Sequence, residues 1–461
     1  MAHVVIGLSG GVDSSVAAWL LKKQGHEVTG LFMVNWHDTT GTLEGDCPWR
    51  DDRVFAELVA RKLDIPLHIA DLSAEYRTRV VDYMFAEYER GRTPNPDVLC
   101  NREIKFDVFL REALALGADY VATGHYCRKA EERLPDGRTV YRLLAGSDPN
   151  KDQSYFLCQL SQEQLRYALF PVGGLLKPEV RRIAEEQGLA TARRKDSQGI
   201  CFVGKVDLPV FLQQKLASKR GNIHEILPSW PKYRRSGLPG AGPELPETRP
   251  SGTGGPETEA GHPEAGQTAW SAERPDTAFG HTEAMGKEQP TRTKQPADAA
   301  TETAVPAAGE GATEPTDAEL AALAAPWRYT VRDGKKIGEH NGAHFYTVGQ
   351  RKGLGLGIEH PYYVCEKRPE DNTVVLGPNE ALFTTELDAG DFNWIAYDTP
   401  PAELHVKAKI RYRQQEQPAT VTQNPDGTVH VSFDEPQRAI ARGQAVVLYD
   451  GDTVVGGGTI L

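Results

Sequence analysis

Two apolar periods alternate along the first 125 residues. The runs VVIGLS (4–9), EVTGLFM (27–33), PLHIADL (66–72) and DYVATG (119–124) have the length and β-branched content of buried strands. Between them the spacing becomes helical: VDSSVAAWLLKKQ (12–24), stopped by Gly25, DRVFAELVARKL (52–63), AEYRTRVVDYMFAEYER (74–90), and a segment around 102–116. Ser73 stands where it can cap the third of these, in which Val80, Val81, Met84, Phe85 and Tyr88 fall on one face. Strands alternating with helices predict an α/β, doubly wound parallel sheet, whose ligands sit at the carboxyl ends of strands. GLSGGVDS, GLFMVN and ATGHY all fall at such ends.

The C-terminal third switches to strand periodicity. HVKAKIRYR (405–413) alternates strictly, with His405, Lys407, Lys409, Arg411 and Arg413 on one face and Val406, Ala408, Ile410 and Tyr412 on the other. AVVLYDGDTVVGGG (445–458) reads as a hairpin turning near Asp450-Gly451. A small C-terminal β-barrel over 377–461 is expected. Residues 1–205 form the sheet domain, and 206–376 should form a small central domain.

Composition interrupts that central domain. Residues 241–320 hold 15 Asp and Glu against 5 Lys and Arg, with one valine, two leucines and no isoleucine. Such a stretch buries too little apolar surface to offset its ordering entropy, so a disordered acidic insertion is expected at about 228–326. It also accounts for most of the net charge of −12. Outside it the charge is nearly balanced, so acidity does not argue against a nucleic-acid partner. No apolar run approaches the roughly 18 residues of a membrane span. The first strand begins almost at the N-terminus, and the six cysteines show no CxxC spacing. A cytoplasmic chain with reduced thiols and no membrane contact is expected.

Chemistry concentrates in three places. In GLSGGVDS, Gly10 and Gly11 let backbone approach a ligand, Ser9, Ser14 and Ser15 add hydroxyls, and the following helix start favours an anion. The loop is neither a Gly-Lys-Ser/Thr P-loop nor GxGxxG. Cys100 lies in GRTPNPDVLCN, where prolines flanking Asn95 predict an extended loop and place the thiol just before a helix, whose N–H groups favour a thiolate. Cys201 lies in KDSQGICFVG, a loop bounded by glycines. Cys47, Cys127, Cys158 and Cys365 read as small apolar residues.

SGGVDS directly after a first strand resembles the pyrophosphate-binding loop of the ATP pyrophosphatase, or PP-loop, superfamily, whose fold is adenine nucleotide α-hydrolase-like. SGGVDSS, GRTPNPDVLCN, ATGHY, KDQSYFL, KDSQGICF, YTVGQRKGLGLG and KIRYRQ occur in this order. That set resembles the tRNA-specific 2-thiouridylase family over nearly everything except the insertion. The resemblance implies ATP-dependent thiolation at C2 of uridine 34, the wobble base of tRNAs for Lys, Glu and Gln, with Mg²⁺ on the pyrophosphate. It assigns the ATP phosphates to Gly7, Leu8, Ser9, Gly10, Gly11, Val12, Asp13 and Ser14, and the adenine-ribose side to Met33 and Gly124. Asn95, Pro96 and Asp97 meet the target base, with Asp97 as general acid/base. Cys201 carries a persulfide received from a sulfur-donor protein, and Cys100 is the second thiol. His125, Lys151, Asp152, Gln153, Arg411, Tyr412 and Gln444 match positions that contact tRNA, with Arg351 and Lys352 also facing it. A monomer is expected.

Three other readings stay open. Another PP-loop tRNA-modifying or amidating synthetase would share SGGVDS without needing both cysteines. A tRNA-binding protein without catalysis would need only the basic strand. An iron–sulfur cluster on Cys100, Cys201 and a carboxylate such as Asp13 would replace the persulfide as the sulfur carrier.

Overall fold

The computed structural model describes residues 1–37, 49–196, 208–227, 230, 329, 333–356 and 361–461. Cys47, Cys201 and nearly all of the acidic insertion lie outside the described residues.

The expected parallel sheet is present. Its strands are β1 (His3–Gly7), β2 (Glu27–Val34), β3 (Leu67–Asp71), β4 (Tyr120–Ala122) and, beyond an antiparallel hairpin of β5 (Cys127–Arg133) and β6 (Thr139–Ala145), the short β7 (Ala168–Leu169). The order is β3-β2-β1-β4-β7, with every pairing parallel. The chain runs from β1 through β2 to β3 at one edge and then crosses back to β4 on the other side of β1, so the switch point lies between β1 and β4. Side chains alternate across the sheet. Val4, Ile6, Phe32 and Val34 join helix 12–23 and helix 49–63 in one core, whereas Val5, Leu31 and Met33 join helices 73–89 and 96–115 in another. Val80, Val81, Met84, Phe85 and Tyr88 are all buried in the second core.

Two helix starts differ from expectation. Ser73 is the first helical residue rather than the cap, and Asp71 Oδ1 accepts its N–H at 3.0 Å. The TPNPD stretch is not extended as far as Cys100. Asn95 is extended (φ −109°, ψ 90°), but helix begins at Pro96, running through a π-helical segment at Asn101–Val108 to Ala115. Pro at the first helical position loses no hydrogen bond, and Asn95 Oδ1 caps by accepting the Val98 N–H at 3.4 Å. Cys100 therefore sits one turn inside a helix and is 0% exposed, not in the N-terminal position that would favour a thiolate.

The central sheet has the order β10-β11-β8-β9, from β8 (Gly221–Glu225), β9 (Lys335–His340), β10 (Tyr363–Arg368) and β11 (Thr373–Gly377). Trp230, inside the stretch assigned to the insertion, is buried against Tyr329 with ring centroids 5.1 Å apart. These two rings close the core at the ends of the chain segment between them.

The barrel closes from six strands, β12 (Phe383–Trp394), β13 (Glu403–Lys409), β14 (Gln417–Gln423), β15 (Val429–Arg438), β16 (Ala445–Asp450) and β17 (Thr453–Ile460). Pairing of β12 with β17 completes the ring, and Thr453 pairs with Leu144 of β6. The hairpin turns at Gly451 as expected. The basic strand does not run to Arg413. It ends at Lys409, where the chain bends, and Gln414 N–H bonds back to Arg411 O at 3.1 Å. The row of cations is therefore broken. Lys407 is exposed, while Lys409 is 12% exposed and pairs with Glu416 (3.2 Å) and Asp152 (3.7 Å). Among the described residues no helix is long and apolar enough to cross a membrane.

Candidate functional site

The loop Gly7–Ser14 crosses the carboxyl end of β1. Leu8 is buried and its N–H reaches Leu31 O at 3.0 Å, anchoring the loop to β2. Ser14 Oγ donates to Gly11 O at 3.2 Å and accepts from the Ser9 N–H at 3.3 Å, while Ser15 Oγ donates to Gly11 O at 2.7 Å. The N-cap is Gly11, which has no side chain, so the first-turn N–H groups of helix 12–23 receive no side-chain cap. That leaves donors and the positive end of the helix dipole for an anion. Gly10 has φ +73°, and a Cβ there would meet Asp52 O at 2.1 Å. Arg194 stitches this contact, donating to Gly10 O (2.8 Å) and to Asp52 Oδ1 (2.5 Å). Burial raises the Asp52 pKa against the pull of Arg194. From the other side of the switch point Gly124 presses on the loop: a Cβ on it would stand 2.7 Å from Ser14 N. Met33 is buried beside Gly7, its Cε 3.7 Å from where a Gly7 Cβ would be.

A charge network backs the loop. Asp13 Oδ1 accepts from Tyr126 OH at 2.7 Å and from Lys177 Nζ at 2.6 Å. Lys177, 11% exposed, also pairs with Asp196 at 2.9 Å, and Asp196 receives Arg181 Nη2 at 2.8 Å and the Lys151 ammonium. Burial pushes the Asp196 carboxyl up, but bonds from Lys151 and Lys177 outweigh it and hold the group at about 2. Lys151, Lys177 and Arg181 thus meet Asp13 and Asp196, and Asp148 Oδ2 accepts the Lys177 N–H at 2.9 Å, a balanced network beside an uncapped helix start. Lys177 and Tyr126 were not singled out by sequence. The one available signal was a Lys-Pro pair at a helix start after a glycine turn, which many helices share.

The loop leading into Asn95, Pro96 and Asp97 is held by three parts of the chain. Its Thr93 N–H bonds to Arg442 O at 2.7 Å, and Gln444 Nε2 donates to Thr93 O (2.8 Å) and Pro94 O (3.2 Å). Lys367 Nζ donates to Tyr346 O (2.8 Å), Thr93 Oγ1 (3.1 Å) and Arg92 O (3.4 Å). Burial brings the Lys367 pKa down to about 7. Gln444 therefore holds the loop rather than projecting outward.

Other expected RNA-contacting residues are also engaged internally. His125 is 8% exposed. Lys105 Nζ, which only donates, lies 3.5 Å from its Nε2, so the proton is on Nδ1 and goes to Thr123 Oγ1 at 2.8 Å. Burial, then the Lys105 charge, keeps this imidazole's pKa well below its usual value. Asp152 accepts from Gly146 N–H (2.9 Å), Ser154 N–H (3.1 Å) and Ser154 Oγ (3.0 Å). Gln153 Oε1 accepts the Tyr126 N–H at 3.0 Å. Arg411 Nη2 donates to Ala439 O at 2.7 Å, and Tyr412 lies on Phe156 with centroids 4.4 Å apart. Arg351 and Lys352 are exposed. Cys127, Cys158 and Cys365 are free thiols pushed up by burial, the last two to about 12, in keeping with a packing role. Among the described residues no three His, Cys, Asp or Glu side chains gather as a metal site.

Known proteins can now be set beside this geometry. Residues 2–205 match the family model described as tRNA methyl transferase HUP domain, 328–378 the tRNA methyl transferase PRC-barrel domain, and 384–460 the aminomethyltransferase β-barrel domain. The tRNA-specific 2-thiouridylase of Flavobacterium johnsoniae is 47% identical over 469 residues, covering 100% of both chains. Its counterpart in Christiangramia forsetii is 45% identical, also over 100% of both. That of a Marinomonas species is 38% identical over 99% of this chain and 90% of its own. With identity of this order sustained from end to end, the chain belongs to the tRNA-specific 2-thiouridylase family.

Proposed function

We propose that this chain uses ATP to activate the C2 oxygen of uridine 34 in tRNAs for Lys, Glu and Gln and replaces that oxygen with sulfur. One observation carries the reading. An uncapped helix start backed by the Lys177 ammonium lies at the switch point, and the helix bearing Asp97 and Cys100 packs on the same sheet. The first feature suits a triphosphate, and the second brings a carboxyl and a thiol to a base held beside it. Methyl transfer, which two of the family-model descriptions mention, would leave the phosphate loop without a role.

The carbonyl oxygen at C2 attacks the α-phosphorus, and pyrophosphate leaves. A persulfide on Cys201 then attacks C2 through its terminal sulfur and AMP departs with the original oxygen. Cys100 takes the remaining Cys201 sulfur as a disulfide, which a dithiol reductant reopens. In the second route Cys100 forms that disulfide first, and the released hydrosulfide attacks C2. Asp97 shuttles the proton, and the base reaches the site flipped from its stack. Mg²⁺, arriving with the triphosphate, would neutralise pyrophosphate charge. Asp13 already serves Tyr126 and Lys177, which makes it a poor third ligand for a cluster and favours the persulfide.

The test is reconstitution with ATP, Mg²⁺, tRNA and a persulfide donor, read by mass spectrometry of nucleosides. Wild type should yield 2-thiouridine at position 34 with AMP and pyrophosphate, and Cys201→Ser should yield none while still binding ATP. Thiolation by Cys201→Ser would remove Cys201 from the sulfur-transfer route altogether, and iron and sulfide retained by wild type after anaerobic purification would replace the persulfide route with the cluster.

A further inference from the structure

The carboxyl end of β2 holds an unusual group. Asn35, the first residue beyond that strand, is 1% exposed, and neither Oδ1 nor Nδ2 has a hydrogen-bond partner. Both halves of a carboxamide are thus buried and unpaired. Each such group ordinarily costs on the order of 1–3 kcal/mol, and an apolar side chain of similar shape would avoid the loss. The next residue repeats the pattern, since Trp36 is 5% exposed and its indole N–H is also without a partner.

The position is informative. Val34 O still accepts the Leu72 N–H at 2.8 Å, so the sheet runs right up to Asn35. Leu31 and Met33 face the core that contains Val98, Leu99 and Cys100, and Phe32 and Val34 face the opposite one. β2 ends at Val34, and just beyond it Trp36 packs in the core that contains Val98, Leu99 and Cys100. The unpaired amide therefore lies at the ligand-binding edge of the sheet, between its last strand residue and that core.

We propose that the Asn35 carboxamide holds the imide edge of the target uracil, accepting N3–H on Oδ1 and donating from Nδ2 to O4. This deepens the thiolation reading and rests on it. A carboxamide offers one acceptor and one donor side by side, which the N3–H/O4 edge complements. Holding that edge leaves C2 and its oxygen free for the α-phosphorus and then for sulfur. Adenine is the competing occupant, because Met33 shares this core; the helix of Asp97 and Cys100 packs there too, and the ATP KM of the variants separates the two occupants.

The experiment compares wild type with Asn35→Leu and Asn35→Ala. Relieved of an unpaired amide, Asn35→Leu should melt about 2–4 °C higher. Its kcat/KM for tRNA thiolation should fall about 10²-fold, because the uracil groups lose both partners. The KM for ATP and the affinity for tRNA, held mainly by phosphate contacts, should stay within about threefold. Asn35→Ala should show the same kinetic split without the gain in melting temperature. Turnover within threefold of wild type in either variant overturns the assignment, as does a raised ATP KM with tRNA kinetics retained, which would give the amide to adenine. A lowered melting temperature in Asn35→Leu would make the residue structural and also overturn it. Failure of the thiolation reading itself would appear separately, as absence of 2-thiouridine with wild type.

Discussion

Substitution of Gly124 by alanine tests the phosphate loop with one methyl group. The added Cβ would stand 2.7 Å from Ser14 N, 2.9 Å from the Asp13 carbonyl carbon and 3.1 Å from Asp13 Cβ. Backbone strain does not enter, since Gly124 is outside the left-handed region. An ordinary contact needs about 3.4 Å, so the first turn of helix 12–23 must retreat by roughly 0.7 Å. Overpacking of this kind costs about 1–3 kcal/mol of stability. The larger effect falls on the chemistry, because the retreat moves the Ser14 N–H away from the phosphate it would meet. Misplacement approaching 1 Å is worth about 10²-fold in rate. Gly124→Ala should therefore fold, bind tRNA normally, and release pyrophosphate about 10–100-fold more slowly in single turnover. Gly10→Ala should be worse in both respects. It meets Asp52 O at 2.1 Å and adds roughly 1–2 kcal/mol for an alanine at φ +73°. Pyrophosphate release and ATP KM within twofold of wild type in Gly124→Ala would show that the phosphates do not use this loop.

Lys367, buried with a pKa of about 7, should make stability depend on pH. The unfolded chain holds this proton up to about 10.4 and the folded chain loses it near 7, so its contribution to stability rises with pH between those values and is flat below 7. Urea unfolding of Lys367→Met at pH 6.5 and 8.5 should lack the upward slope of wild type, and parallel slopes in the two proteins would count against the depressed pKa. On the barrel, Lys407→Ala should lower the slope of log K for tRNA against log salt by about 0.7–0.9, while Lys409→Ala, whose charge is spent on Glu416 and Asp152, should leave the slope unchanged. A drop in slope for Lys409→Ala alone would reverse that assignment.

Much of the scaffold was legible because it depends on period. The four longer parallel strands, the apolar face of 74–90 and the hairpin at Gly451 follow from alternation and turn chemistry alone. Two-residue β7 carries no period and was missed. The errors at 73 and 95–101 came from local rules that compete. The residue before a proline is extended, and Asn95 is, but proline itself opens a helix as readily as it closes a loop. The break after Lys409 was not legible either, because Arg411 and Tyr412 fit a strand pattern and leave it only for partners at Ala439 and Phe156. The phosphate loop was readable as contiguous glycines and serines. Lys177 and Arg194 were not, since their value lies in reaching Asp13 and Gly10 from more than 160 residues away.

That distance explains why residues matching RNA-contacting positions turn up as braces. The turn at Thr93–Asn95 has too few residues to define its own shape. It accepts hydrogen bonds from Gln444 at the barrel and Lys367 in the central sheet and donates its Thr93 N–H to Arg442 O, and Gly443 packs so closely that a Cβ there would meet Thr93 at 3.0 Å. A tRNA that shifts the barrel or the central sheet must therefore shift Asn95, Pro96 and Asp97 with them. In the proposed reaction, binding energy gained far from the base would in this way be converted into placement of Asn95, Pro96 and Asp97 against the loop Gly7–Ser14, which is the form in which it lowers a barrier. The same coupling makes Gln444 a positioning residue in this fold.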